Sequence, residues 1–379
     1  MVTNVINSGD TAWVLASAAL VLFMTPGLAI FYGGMVRAKS TLNIMMMSFS
    51  AMGVTTIIWV LYGYSLAFGK SHNGLIGNLD HVGLAKTLDQ VTGAEGHQIP
   101  TLAFAMFQLT FAIITVALIS GAIADRAKFS SWIIFVAVWI TLVYLPLAHW
   151  AFASQGGEGG WIIDRLGALD FAGGTVVEIN SGAAALALVL VLGKREGFKT
   201  ESMRPHNMPL VLLERFRDGK ATTLGIASGA IAGAVAITPA CGFVNPLGAL
   251  VIGLLAGAVS AIAVSRKYKW GYDDSLDVVG VHGVGGFLGM LAIGFLATTT
   301  ANSAGGLGLL THGSSELLQR QLVAIGATAL FSFTATWLIG TVISKTIGFR
   351  ANREDELTGL DTTYHAESAY DISGNANRY

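Results

Sequence analysis

The chain has 379 residues, 53% of them hydrophobic and 12% charged, with a formal net charge of −1. A charged share about half that of a soluble domain excludes an extensive solvated surface, and the near-neutral balance excludes a nucleic-acid partner. The single cysteine, Cys241, excludes an intrachain disulfide and a cysteine-built metal centre.

Apolar runs of about 20 residues or more, the length that crosses hydrocarbon, fall in chain order near 12–36, 43–68, 100–123, 131–153, 171–193, 222–240, 245–265, 278–297 and 321–348. They predict an all-α polytopic membrane protein with about nine spans embedded in a lipid bilayer. The first run is too long for a cleaved signal peptide, lacks a basic start and is soon followed by a second. Assigning alternate loops to one side gathers 18 of the 22 Lys and Arg residues there, from Arg37 to Arg378. The basic side is then cytoplasmic, with the N-terminus outside and the C-terminus inside. Loops 69–99 and 154–170 are Gly-rich and weakly charged. The basic stretch 194–221 holds Pro205, Pro209 and an apolar patch from Met208 to Leu213 that is too short to span. The division expected is a transmembrane domain over 1–349 and a polar cytoplasmic tail over 350–379.

A short repeat links two spans. Asp170 is followed at +8 by Glu178 and at +12 by Gly182; Asp274 is followed at the same offsets by His282 and Gly286. Paired segments of this kind are the mark of an inverted-repeat transporter with its site at the repeat interface. Glu178 and His282 lie inside apolar runs, where an ionisable group costs about 2.5–3.5 kcal/mol unless it has a partner or an aqueous path. Two readings remain open at this point: a polar pair that locks two helices, or a coupled proton-carrying pair. Asp170 precedes a run of small residues and reads as a helix cap, whose charge also favours a cation nearby. Phe107 and Phe111, four residues apart, share a helix face. Trp150 and Phe152 stand at a span end, where aromatic belts are ordinary, although aromatic faces also attract small cations. The sequence has no Gly-x-Ser-x-Gly elbow, metal-ligand spacing or phosphate-binding Gly-Lys-Ser/Thr loop, so neither an enzyme nor a cofactor is expected.

Several strings together resemble the Amt/Mep/Rh ammonium transporter family: Pro26-Gly27-Leu28-Ala29-Ile30-Phe31-Tyr32-Gly33-Gly34, Asp170-Phe171-Ala172-Gly173-Gly174-Thr175-Val176-Val177, Thr238-Pro239-Ala240-Cys241-Gly242 and Val281-His282-Gly283-Val284. The tail adds Gly359-Leu360-Asp361 and His365-Ala366-Glu367-Ser368-Ala369-Tyr370. The resemblance implies an aromatic gate at Phe107 and Phe111, and a cation-recruitment aromatic at Phe152 beside Trp150. It also implies a supporting role for Asp170 and a pore pair at Glu178 and His282. It further implies ammonium or ammonia as substrate, a homotrimer in the cell membrane and, in bacterial members, a PII-type signalling protein at the cytoplasmic face.

Three departures from the family pattern stand out. Glu178 replaces the first pore histidine, and Phe152 replaces a tryptophan, which weakens cation–π recruitment. The family has eleven helices in two five-helix repeats plus one, so about two helices are missing from the second repeat near 213–214. Loss of an even number preserves the orientation of all that follows. The functional alternatives are therefore a conducting transporter, a non-transporting sensor or inactive truncated member, and a neutral-gas channel for ammonia or carbon dioxide.

Overall fold

The computed structural model describes residues 6–201 and 223–370. Among them, eight helices are long and apolar enough to cross a membrane: α1 (Ser8–Met35), α2 (Ala38–Phe68), α3 (Thr101–Ile123), α4 (Phe129–Phe152), α5 (Gly174–Leu192), α7 (Pro246–Trp270), α8 (Val279–Leu296) and α9 (Glu316–Thr346). The run expected near 222–240 forms α6 (Thr223–Ile237), which has 15 residues. At 1.5 Å per residue its described part, which begins directly after the residues outside the description, covers about 22 Å. The expected chain break between Leu213 and Glu214, and the patch Met208 to Leu213, lie outside the described residues.

Apolar side chains dictate these helices because, in lipid, each backbone N–H and C=O must be satisfied within its own segment. The ends are set by polar residues that hydropathy alone places poorly. The helix α1 starts at Ser8 because the Asn7 side chain accepts from the Asp10 N–H at 2.9 Å. Asn245 caps α7 by accepting from Gly248 N–H at 2.8 Å, and Gly271, with φ of +76°, closes it. The start of α9 lies several residues before the expected 321, in a polar turn held by the Glu316–Arg320 pair at 2.5 Å. The long loop after α2 carries two small antiparallel hairpins. In one, β1 (Ser71–His72) pairs with β2 (Ile76–Gly77); in the other, β3 (Val91–Thr92) pairs with β4 (Ile99–Pro100).

The helices α1, α2 and α3 pack on one another; α5 runs along α9; α8 contacts α6, α7 and α9. At the centre Trp132, Phe135 and Trp139 of α4 stack in sequence, all fully buried. Their indole N–H groups are satisfied, Trp132 donating to Met47 O at 2.8 Å and Trp139 to Thr336 Oγ1 at 2.8 Å. By contrast Leu20, Phe23, Leu254 and Leu330 are more than two-thirds exposed. An apolar girdle of this kind is stable against lipid rather than water.

One end of the bundle is tied by charge. Arg126 is fully buried and donates to Asp273 O at 2.5 Å and Ser275 Oγ at 2.9 Å. Burial pushes its guanidinium down to about 10, partly offset by Asp273. Arg195 pairs with the Asp273 carboxylate at 2.5 Å. The tail returns to this same end as two short helices, α10 (Arg353–Thr358) and α11 (Leu360–His365). Asp361 accepts from Leu42 N at 2.9 Å and Asn43 N at 2.8 Å, so the tail caps the first turns of α2.

Candidate functional site

The site is built where α5 and α8 cross. Asp170 accepts from the N–H groups of Gly173, Gly174 and Thr175 at 2.7–2.8 Å, and also from the Thr175 hydroxyl. Three donors that no helical carbonyl can reach are thereby satisfied. The Thr238–Gly242 string forms the shoulder on which this end rests. Phe171 N donates to Pro239 O at 3.0 Å, and Gly174 and Gly242 leave room for Pro239 and the Phe171 ring.

Beyond the cap, α5 opens with a π-helical turn over Gly174–Ile179 and α8 with one over Val279–Gly283. Glu178 lies in the first and His282 in the second. Wide turns of this type concentrate at functional positions because they re-aim side chains that a regular helix would stack along its flank. Here the two side chains converge, with Nδ1 of His282 2.7 Å from Oε2 of Glu178. They are only 8% and 7% exposed. The two glycines of the sequence repeat explain how the helices come this close. Gly182, one turn after Glu178, lies against the backbone of Gly283; Gly286, one turn after His282, lies against Cβ of Glu178. Each ionisable residue is thus seated over the glycine of the other helix. The contact between Gly182 and Gly283 was beyond the sequence reading, which paired the glycines only by offset.

Small apolar clusters flank the pair. Val177 clusters with Ile114 and Leu118 of α3, and Leu28 of α1 and Phe111 of α3 pack against that cluster. Val281, at the matching offset of the repeat, packs with Ile231, Ala232 and Val235 of α6 and Val264 of α7. Phe107 and Phe111 form an edge-to-face pair with centroids 4.9 Å apart, so Phe111 bridges this aromatic pair to the residue beside Glu178. The other aromatics lie elsewhere. The Trp150 ring is held between Trp161 and Phe331, at centroid distances of 5.5 and 4.7 Å, and its N–H donates to Leu75 O at 2.8 Å. Phe152 packs at the margin of the main core. Among the described residues no ring contact joins Trp150 or Phe152 to the Phe107–Phe111 pair.

At the opposite end the second repeat mirrors the first. Asp274 accepts from Val278 N at 3.1 Å and Val279 N at 2.7 Å, capping the helix that carries His282. Burial pushes the Asp274 carboxyl up to about 6 against the opposing pull of Lys267, and it raises Asp277 in the same way. Among the described residues no group of three or more His, Cys, Asp or Glu side chains could hold a metal ion.

The comparisons with known proteins agree with this geometry. The model of the Ammonium Transporter Family matches residues 12–214 and 210–370, two stretches that meet in the basic segment. An ammonium transporter of Mycobacterium bovis is 46% identical, covering 98% of this chain and 92% of its own. That alignment runs over 439 positions, more than the 379 residues of this chain. An ammonium transporter of Bacillus subtilis is 43% identical, covering 96% of this chain and 99% of its own. Among solved structures, Candida albicans Mep2 superposes with a TM-score of 0.82 at 29% identity, covering 92% of this chain and 88% of that one. The chain is a multi-pass membrane protein and belongs to the ammonium transporter family.

Proposed function

We propose that this chain conducts ammonium in two separated parts, ammonia along an apolar path and the proton through Glu178 and His282. The observation that carries the proposal is the buried 2.7 Å contact between the Glu178 carboxylate and the His282 imidazole. Ammonium is received at the outer mouth near Asp170, Phe107 and Phe111. There it gives up its proton, because an apolar path is hostile to a bare cation. Ammonia passes while the pair relays the proton; one hydrogen bond between acid and base lets a proton cross without leaving the site. Potassium, which has no proton to give up, is rejected. The scheme requires no cofactor and no enzymatic step. The test is ammonium-driven current in liposomes. Glu178→Leu should abolish it, and an undiminished, ammonium-selective current would refute the relay.

The basic end is the cytoplasmic one in this reading, supported by the Lys and Arg asymmetry. It includes the tail from residue 350 and is the surface on which a PII-type protein would dock. A homotrimer is the assembly proposed, by analogy with the family.

A second reading, a folded member that does not conduct, draws support from a specific deficit. The cluster that holds Val177 is joined by Leu28 from α1, whereas the cluster that holds Val281 is joined, among the described residues, by side chains from α6 and α7 alone. Among the described residues, none holds in the second cluster the place that Leu28 of α1 holds in the first. The family match divides at 210–214, and the alignment with the mycobacterial relative is longer than this chain. Flux through the chain as written, beside a version with about 50 residues restored between Leu213 and Glu214, separates the two readings.

A further inference from the structure

The two halves of the repeat share a backbone turn after the capping aspartate and differ in charge within it. Three residues after each capping aspartate the chain enters the left-handed region, at Gly173 with φ of +110° and at Asp277 with φ of +64°. Glycine adopts this conformation freely, whereas a side chain there is strained even for Asp, the residue type that tolerates it best after Asn. The second repeat therefore holds a carboxylate where the first has no side chain, and a strained residue of this kind calls for a functional account.

Lys267 supplies it. Its Nζ donates to the Asp277 carboxylate and, at 2.8 Å, to the Asp274 carbonyl. The Lys267 side chain is 7% exposed and that of Asp277 29%. The pair lies in a cleft of about 410 Å³ that is lined also by Met35, Leu276, Arg195 and Glu201. It sits at the foot of the helix that carries His282, since Val281 N donates to Asp277 O at 2.9 Å. Of the other charges facing this space, Arg195 is paired with Asp273 and Glu201 with Arg37, and the Lys199 ammonium lies 5.8 Å from the Phe198 ring centroid. At the other end, Asp170 has no Lys or Arg partner among the described residues.

We propose that Lys267 is a tethered ammonium group that occupies the inner counterpart of the outer cation site and makes conduction rectify inward. A lysine head group and free ammonium share charge and donor chemistry, so they compete for the same oxygens. Ammonium arriving from the basic face must displace a buried, covalently held competitor from Asp277. Ammonium arriving at Asp170 meets none. The inference rests on the proposed function for its direction of flow.

The test compares the full chain with Lys267→Met and Lys267→Arg in liposomes of determined sidedness, with ammonium pulses applied from either face. Lys267→Met should raise the current driven from the basic face about tenfold relative to the opposite direction, the scale of one charge-assisted hydrogen bond. Lys267→Arg should retain the rectification. An unchanged ratio in Lys267→Met overturns the proposal. Equilibrium binding of radiolabelled methylammonium to the detergent-solubilised full chain at pH 8 needs no transport. There Lys267→Met should gain a cation site that is lost again in Lys267→Met with Asp277→Asn, and binding equal to the parent overturns the proposal independently. A gain in binding without current in any variant refutes the conduction reading and leaves the tethered cation standing.

Discussion

Gly182 of α5 lies directly against the backbone of Gly283 of α8, with no room for a methyl group between them. This contact, rather than any attraction between the ionisable groups, sets how near the two helices come. Without lipid-excluded area to gain, membrane helices approach closely only where side chains are small. Gly182→Ala should therefore destabilise the folded protein by about 1–3 kcal/mol, the usual cost of overpacking. It should also pull Glu178 away from His282. Thermal unfolding in detergent measures the first effect and ammonium-driven current the second; a variant normal in both would remove the crossing from the account of the site.

Glu178→Gln separates a locking pair from a relay. Glutamine keeps the volume and a hydrogen bond to His282 but carries no exchangeable charge. The expected outcome is a melting transition within about 1 kcal/mol of the parent, since a neutral bond replaces one that also bore a desolvation cost. Ammonium current should fall at least about tenfold. Retained current with retained stability would make the contact structural.

Asp170→Ala removes the acceptor for three backbone N–H groups at the head of α5. Loss of a cap costs about 0.5–2 kcal/mol, and Asp170→Asn should recover most of it. If ammonium affinity falls in both variants while stability recovers only in Asn, the charge itself contributes to recruitment.

The carboxyl of Asp274 is pushed from 3.8 up to about 6 by burial, with Lys267 opposing. The folded state therefore holds this proton more tightly than the unfolded chain does. The associated stability is complete below about pH 4 and is lost as pH rises towards 6. Comparing melting temperatures of parent and Asp274→Asn across pH 4–7 should show the parent losing more stability over that range. A constant difference would mean that Asp274 does not titrate there.

The composition of the chain made its class legible, because long apolar runs in a sequence with few charges have only one stable solvent. The repeat was also legible, since Asp170, Glu178 and Gly182 keep the same offsets as Asp274, His282 and Gly286. What the offsets do not carry is conformation. Nothing in the letters distinguishes a π-helical turn at Glu178 from a regular one, or places Asp277 in the left-handed region beside Lys267. Trp150 illustrates the converse. Its position at a span end is legible, but its ring partners Trp161 and Phe331, the latter far away in sequence, are not. Partners so distant are invisible to local pattern.

The cap that Asp361 places on Leu42 and Asn43 joins the second span to a residue made more than 300 positions later. During translation α2 enters the bilayer with its leading N–H groups dependent on water or lipid head groups, and they gain their protein partner only after α9 has been made. Completion of the bundle is thereby coupled to arrival of the segment that follows α9. A premature stop just before Asp361 would leave every span in place but the second one frayed, and Asp361→Ala should reproduce that state as faster protease cleavage near Arg37 in membranes.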